Sequence, residues 1–211
     1  FRSSMLQTAD GAMEEQTVMM QRMRELGVLA QNDTYSSAQR TAMQDEFSAL
    51  RDEIDRIGTD TQWNNFDLLT GDGGNMGGAS TFSFQVGANS SQTIEVVIGK
   101  QTTADQFSGI ASSTVASAAS AASAVSALDT AIATLAANRS VIGAGINRLT
   151  HAADNAANIA QNVTESRSRV TDTDYAAATS ELARTQIIQQ AATAILAQAN
   201  QQPQAVLSLL K

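Results

Sequence analysis

The chain has 211 residues, a mass of 22.1 kDa, a net charge of −8 and no cysteine. That excludes disulfides, a thiol nucleophile and Cys-based metal sites, and the acidic balance opposes binding to nucleic acid or anionic membrane. Hydrophobic residues make up 43% but aromatic ones only 4%, so the apolar content is small and aliphatic, suited to helices packed along a seam.

The first segment reads as a helix. Met5, Ala9, Ala12, Gln16, Met19, Met23, Leu26 and Ala30 recur in alternating steps of four and three, the a/d spacing of a coiled coil, interrupted only by Gln16. Glu14, Glu15, Arg22, Arg24 and Glu25 fall outside the seam. The helix fades at Gln31-Asn32-Asp33, where short polar side chains compete for backbone hydrogen bonds. Ser36 or Ser37 caps a second helix with the seam Met43, Phe47, Leu50, Ile54 and Ile57, and Gly58 reads as its C-terminal stop. The short connector predicts antiparallel neighbours.

Between Thr59 and Gly99 the pattern changes. Trp63, Phe66, Leu68 and Leu69 read as a loop packed on the helices, and Gly71–Gly78, with five glycines in eight residues, as a mobile loop. Phe82, Phe84 and Val86, then Ile94, Val96 and Ile98, alternate with other residues at period two. The intervening Gly87-Ala88-Asn89-Ser90-Ser91-Gln92 is a turn composition, so residues 82–98 form a β-hairpin.

From about Val115 a long helix is expected. Its seam runs Val125, Leu128, Ile132, Leu135, Arg139, Ile142, Ile146, Leu149, Ala153, Ala156, Ala160, Val163, Arg167 and Val170, broken only by the two arginines. At 1.5 Å per residue it would be about 70 Å long, too long for burial in a compact domain. Thr171-Asp172-Thr173-Asp174 breaks it, and a last helix runs from about Tyr175 to Ala199, with Pro203 ending it or closely following its end. Beyond lies an apolar tail, Val206, Leu207, Leu209 and Leu210, that this chain alone leaves unpartnered. The fold class is therefore mainly α: an elongated rod of coiled-coil-like helices with a flanking β-hairpin. Residues 1–174 form the rod and residues 175–211 the C-terminal helix and tail.

Candidate chemistry is sparse. The Gly-rich loop lacks the Lys-Ser/Thr of a phosphate cradle, and its spacing fails the calcium-loop pattern. His151 reads as a surface residue, and Asp45-Glu46 and Asp52-Glu53 as a solvated helix face. Met19, Met20 and Met23 read as packing rather than a metal site. Four Asn-x-Ser/Thr matches, at Asn32, Asn89, Asn138 and Asn162, are expected by chance in this composition. No apolar stretch approaches about 20 residues, so no membrane-inserting helix is expected. The reading is a protein that is no enzyme and needs no cofactor or metal.

Several blocks resemble bacterial flagellin. Gln21-Arg22-Met23-Arg24-Glu25-Leu26 is similar to the family's Q-R-x-R-E-L segment, and Asp52-Glu53-Ile54-Asp55-Arg56-Ile57 with Thr61-Gln62-Trp63-Asn64 to its N-E-I-D-R … T-Q-F-N run. Phe84-Gln85-Val86-Gly87-Ala88-Asn89 resembles its strand-and-turn motif, and Ala192 to Leu210 its terminal sequence. The resemblance implies a self-assembling subunit of the extracellular flagellar filament, serving motility. It implies as partners other flagellin subunits, an export chaperone, the filament cap and hook-junction proteins, and toll-like receptor 5. Gln21, Arg22, Arg24, Glu25, Leu26 and Glu46 are the implied assembly or receptor face. Leu196, Val206, Leu207, Leu209 and Leu210 form the tail for assembly and chaperone, pairing with an N-terminal segment that the family has and this sequence lacks. Two other readings compete: a flagellin-like surface protein binding polysaccharide or a host receptor, and a helical signalling bundle, which the hairpin and Gly-rich loop oppose.

Overall fold

The computed structural model describes residues 2–71, 80–172 and 174–208, and side chains at 3–71, 81–172 and 174–200. The chain divides into two compact units, Phe1–Ala157 and Asn158–Lys211.

In the first unit, α1 (Arg2–Ala30) is flanked by α2 (Ser37–Asp60) and by the first part of α4 (Ala118–Thr171). Ser36 caps α2 with a capping box: its Oγ accepts from the Gln39 N–H, and Gln39 Oε1 accepts from the Ser36 N–H. Arg40 closes the corner by donating to the carbonyls of Ala30 and Asn32 at the end of α1, where a cation is favoured. Cross-contacts pair Arg22 with Glu46 and Gln16 with Ile54, so α1 and α2 run antiparallel, as the short connector predicts.

Helix α1 buries a wider face than one seam. Ala9, Gln16, Met23 and Ala30 are buried as expected, but Leu6, Met13, Met20 and Gly27 are buried too, while Ala12 and Met19 are only partly covered. The reason is that α1 packs on two helices: Arg24 and Asp10 reach Asp129 and Arg139 of α4 while Arg22 reaches α2. Two neighbours require two adjacent stripes.

Gly58 is not the stop of α2, which continues to Asp60. A Cβ there would lie 2.4 Å from the Gln101 carbonyl oxygen, so glycine serves a close backbone approach. The segment after it is more regular than a loop: β1 (Gln62–Trp63) pairs with β2 (Phe66–Asp67) across Asn64 and Asn65, both at positive φ (52° and 64°). Asparagine tolerates that region, and the two successive residues make a tight hairpin turn. Most of Gly71–Gly78 lies outside the described residues.

The expected hairpin is present as β3 (Ser80–Gln85) and β4 (Thr93–Ile98), antiparallel with Phe82 opposite Val96 and Phe84 opposite Ile94. Phe84, Ile94, Val96 and Ile98 turn inward. A short helix, α3 (Ser108–Ala111), follows, and α4 begins at Ala118 rather than Val115. Val115 is instead a buried anchor whose N–H donates to Gln44 of α2.

The α4 seam is buried at Leu128, Leu135, Ile142 and Leu149 but exposed from Ala153 onward. Within Ala118–Asn200 one 18-residue window reaches a mean hydropathy of 1.3, long and apolar enough by composition to cross a membrane, contrary to the sequence-based exclusion. Alanine raises such an average without supplying long apolar side chains, and the alanine-rich start of α4 buries Ala121, Ala124 and Ala131 within the protein.

In the second unit, the end of α4 is followed by α5 (Tyr175–Ser208), capped by Asp174, whose Oδ1 accepts from the N–H groups of Ala176 and Ala177. The helix does not end before Pro203 but runs through it. Proline there leaves the Ala199 carbonyl without its usual N–H donor, and the remaining turns continue around that gap.

Candidate functional site

The six residues of the expected partner face separate into three groups. Arg22 bridges α1 and α2: its Nε donates to Glu46 Oε1 at 2.8 Å and its Nη1 to Glu25 Oε2 at 3.1 Å. Glu46 first, then Glu25, hold the Arg22 guanidinium still more firmly protonated than usual. All three side chains stand in solvent, where such a bridge adds little to stability. Its effect is on shape, fixing one cation between two carboxylates on an open surface beside the exposed Gln21.

Arg24 turns the other way and donates to Asp129 Oδ1 of α4 at 2.6 Å. Leu26 is only 3% exposed and belongs to the core. The i, i+4 spacing from Arg22 to Leu26 therefore does not give a shared surface. Because α1 is covered on two sides, the residue four positions on from an exposed one can still point inward.

The apolar residues beside the arginine bridge are Val28 and Leu29, 49% and 42% exposed, which line a shallow groove of 370 Å³ with Arg24 and Glu25. Both lie off the heptad seam, directly after the Arg-rich block, and that position is the one signal for them in the sequence.

Arg139 breaks the α4 seam for a specific reason. Its Nε donates to Asp10 Oδ1 at 2.8 Å and its Nη2 to Glu14 Oε2 at 3.3 Å, fastening α4 to α1. Hydrogen bonding to Asp10 dominates and raises its pKa further.

On α5 the apolar residues are uncovered. Leu182, Ile187, Ile188, Ile195 and Leu196 are 58–66% exposed. Of the expected tail, Leu196 is thus an open surface residue. The side chains of Val206 and Leu207, and Leu209 and Leu210 altogether, lie outside the described residues. An open groove of 540 Å³ is lined by Ser3, Val86, Leu149, Ala152, Asp154 and Ala156, among others. Among the described residues no three His, Asp or Glu side chains gather as a metal site would need.

Comparison with known proteins agrees with this geometry. The bacterial flagellin N-terminal helical region matches residues 1–73, and the bacterial flagellin C-terminal helical region matches residues 125–210. The chain is 40% identical over 208 residues to a flagellin of Halalkalibacterium halodurans, covering 99% of this chain and 74% of that protein. It is 37% identical over 218 residues to flagellin FlaB2 of Treponema pallidum, covering 99% and 76%. Among solved structures, Bacillus cereus flagellin aligns with a TM-score of 0.62 at 28% identity, covering 76% of this chain and 90% of that one. A putative flagellar hook-associated protein of Vibrio parahaemolyticus aligns with a TM-score of 0.64 at 13% identity, a likeness of fold alone. An antiparallel helical unit with a flanking hairpin, both terminal helical regions and relatives matched over nearly the whole chain lead to one conclusion: this chain belongs to the bacterial flagellins, structural subunits of the flagellar filament.

Proposed function

We propose that the chain assembles into the extracellular filament through two surfaces of different chemistry. The first is the polar face of Gln21, Arg22, Glu25 and Glu46 with the exposed Val28 and Leu29 beside it. Arg24 borders this face, and Leu26 supports it from the core. The second is α5, including Leu196, which pairs with another flagellin helix, the N-terminal segment of the family being the candidate. The carrying observation is α5 itself: five large aliphatic side chains, each more than half exposed, leave an unmet demand for burial. Contacts between unlike surfaces produce an open helical polymer when the rotation from one subunit to the next does not close into a ring, as a filament requires.

The same two surfaces are the docking places for the remaining partners. The α5 tail fits an export chaperone, which would cover apolar side chains before assembly. The polar face fits the filament cap, hook-junction proteins and toll-like receptor 5. No step in this function calls for catalysis.

The test is filament yield from full-length flagellin carrying Ile187→Asp and Ile195→Asp, followed by sedimentation and electron microscopy. Loss of filaments with an unchanged melt of the first unit is the expected result. Wild-type filament yield from the double variant would overturn the assignment of α5.

A further inference from the structure

We infer that the methionines of α1 are a modification site: their oxidation to sulfoxide before folding prevents the first unit from forming, whereas the folded unit shields them. This inference does not depend on how the filament is assembled.

The observation is where methionine is placed. Met13, Met20 and Met23 are fully buried, Met5 is nearly so, and Met19 and Met43 are partly covered, all in one apolar core. The three fully buried thioethers occupy the α1 face that meets two helices at once. A flexible unbranched side chain suits such a place, because it fills the gaps that two neighbours of different spacing leave. The chain has no cysteine, so thioethers are its principal targets for two-electron oxidants.

The chemistry is explicit. A hydroperoxide or hypohalous acid transfers one oxygen to the methionine sulfur. With hydrogen peroxide, the sulfur lone pair attacks, the O–O bond breaks, and water leaves; sulfur is oxidised by two electrons and peroxide reduced by two. The product carries a strongly polar S=O group in place of an apolar sulfur. Met13, Met20 and Met23 share one core with residues such as Leu6, Phe47 and Ile54, which offer no side-chain donor to that oxygen, and the buried Gln16 amide on the same helix already donates to two carbonyls. A buried acceptor without a partner opposes folding, and three on one helix face oppose it together. Of the methionines among the described residues, the oxidant meets Met19 and Met43 first in the folded unit, because these are the partly open ones.

The experiment treats the full chain with hydrogen peroxide twice, once folded and once in denaturant, and maps sulfoxide by mass spectrometry. In the folded protein Met19 and Met43 should oxidise at least about tenfold faster than Met13, Met20 and Met23, as protection by burial requires. In denaturant the five should oxidise at similar rates. After removal of denaturant, the oxidised chain should fail to recover its helical circular dichroism. Methionine sulfoxide reductases acting on both epimers should restore it, which separates thioether oxidation from other damage. A Met13→Leu, Met20→Leu, Met23→Leu variant, close to volume-conserving, should refold after the same treatment. Normal refolding of the oxidised wild-type chain would overturn the inference. So would equal oxidation of buried and partly covered methionines in the folded state, or failure of the reductases to restore folding.

Discussion

Gln16 Nε2 donates to the carbonyl of Gln101 at 3.0 Å, and the same nitrogen donates to the carbonyl of Ile54, also at 3.0 Å. One buried amide thus ties α1 to α2 and to the segment leaving β4. The strap is reinforced by Asp55, whose carboxylate accepts from the N–H and hydroxyl of Thr103 at 2.7 and 2.6 Å, and by the Gln101 N–H donating to Leu69. The polar interruption of the α1 seam is therefore the point where three parts of the chain are held in register.

Replacing Gln16 with leucine should destabilise the first unit although it perfects the heptad. The Gln101 carbonyl would lose its donor, at about 1–3 kcal/mol for a buried group left unsatisfied, whereas the Ile54 carbonyl would lose only its second donor and keep its bond within α2. Removal of Gln16 Oε1, itself buried without a partner, returns part of that. A fall in the thermal midpoint is expected; a rise would show that apolar packing outweighs the clamp.

Two glycine substitutions should move stability in opposite directions. Gly143 lies within α4, and a methyl group added at its Cα would meet nothing within 4 Å, so Gly143→Ala should stabilise by about 0.5–1 kcal/mol through helix propensity. Gly58→Ala places Cβ 2.4 Å from a carbonyl of the strap and should destabilise by more than that gain. Urea titrations of both variants check the pair, and equal effects would refute the close approach at Gly58.

The pH dependence should include a contribution from Glu53. Arg56 donates to both of its carboxylate oxygens, at 2.8 and 2.6 Å, and this pairing lowers the Glu53 pKa below its ordinary 4.5. A depressed carboxylate stabilises the fold above its unfolded pKa, and that contribution is lost as pH falls through the folded value. Arg56 and Arg139 are shifted upward and stay charged throughout the acidic and neutral range, so the titrating partner in the Arg56 pair is Glu53. The stability difference between wild type and Glu53→Gln should therefore be flat near neutrality and shrink below the ordinary carboxylate pKa. Denaturant midpoints measured across that range provide the check, and a difference that grows on acidification would contradict it.

How much of this was legible in the sequence depends on the distance over which each feature is determined. A serine cap at Ser36 or Ser37, the period-two strands and the steps of three and four in α2 are local, so reading residues a few positions apart recovers them. The phase of the buried face on α1 is not local, because it is set by α2 and α4 together. The roles of Gln16, Gly58 and Arg139 likewise depend on partners 85, 43 and 129 positions away. At the candidate site, Arg22 and Glu46 come from the family resemblance, and the short antiparallel connection accounts for their meeting. Leu26 and Arg24 were not separable from them, since the sequence does not display which side of α1 receives α4.

The partner face gives the last prediction. Arg22 is held between Glu46 and Glu25 at the surface, and removing an exposed bridge of this kind leaves the fold nearly intact. Arg22→Ala should thus leave the melting temperature of the first unit almost unchanged. In full-length flagellin the same change should reduce filament yield, toll-like receptor 5 affinity, or both. The guanidinium is the group whose remaining hydrogen-bonding capacity faces solvent, and arginine contacts carry disproportionate energy at protein interfaces. Leu26→Ala is the contrasting variant. Leu26 is 3% exposed, so its truncation should lower stability by about 2–5 kcal/mol and affect binding only through the fold. Melting curves, filament yield and receptor affinity measured on both variants separate the two roles. Normal assembly together with normal receptor affinity for Arg22→Ala would leave the bridge as a solvated ion pair and move the interface elsewhere on the molecule.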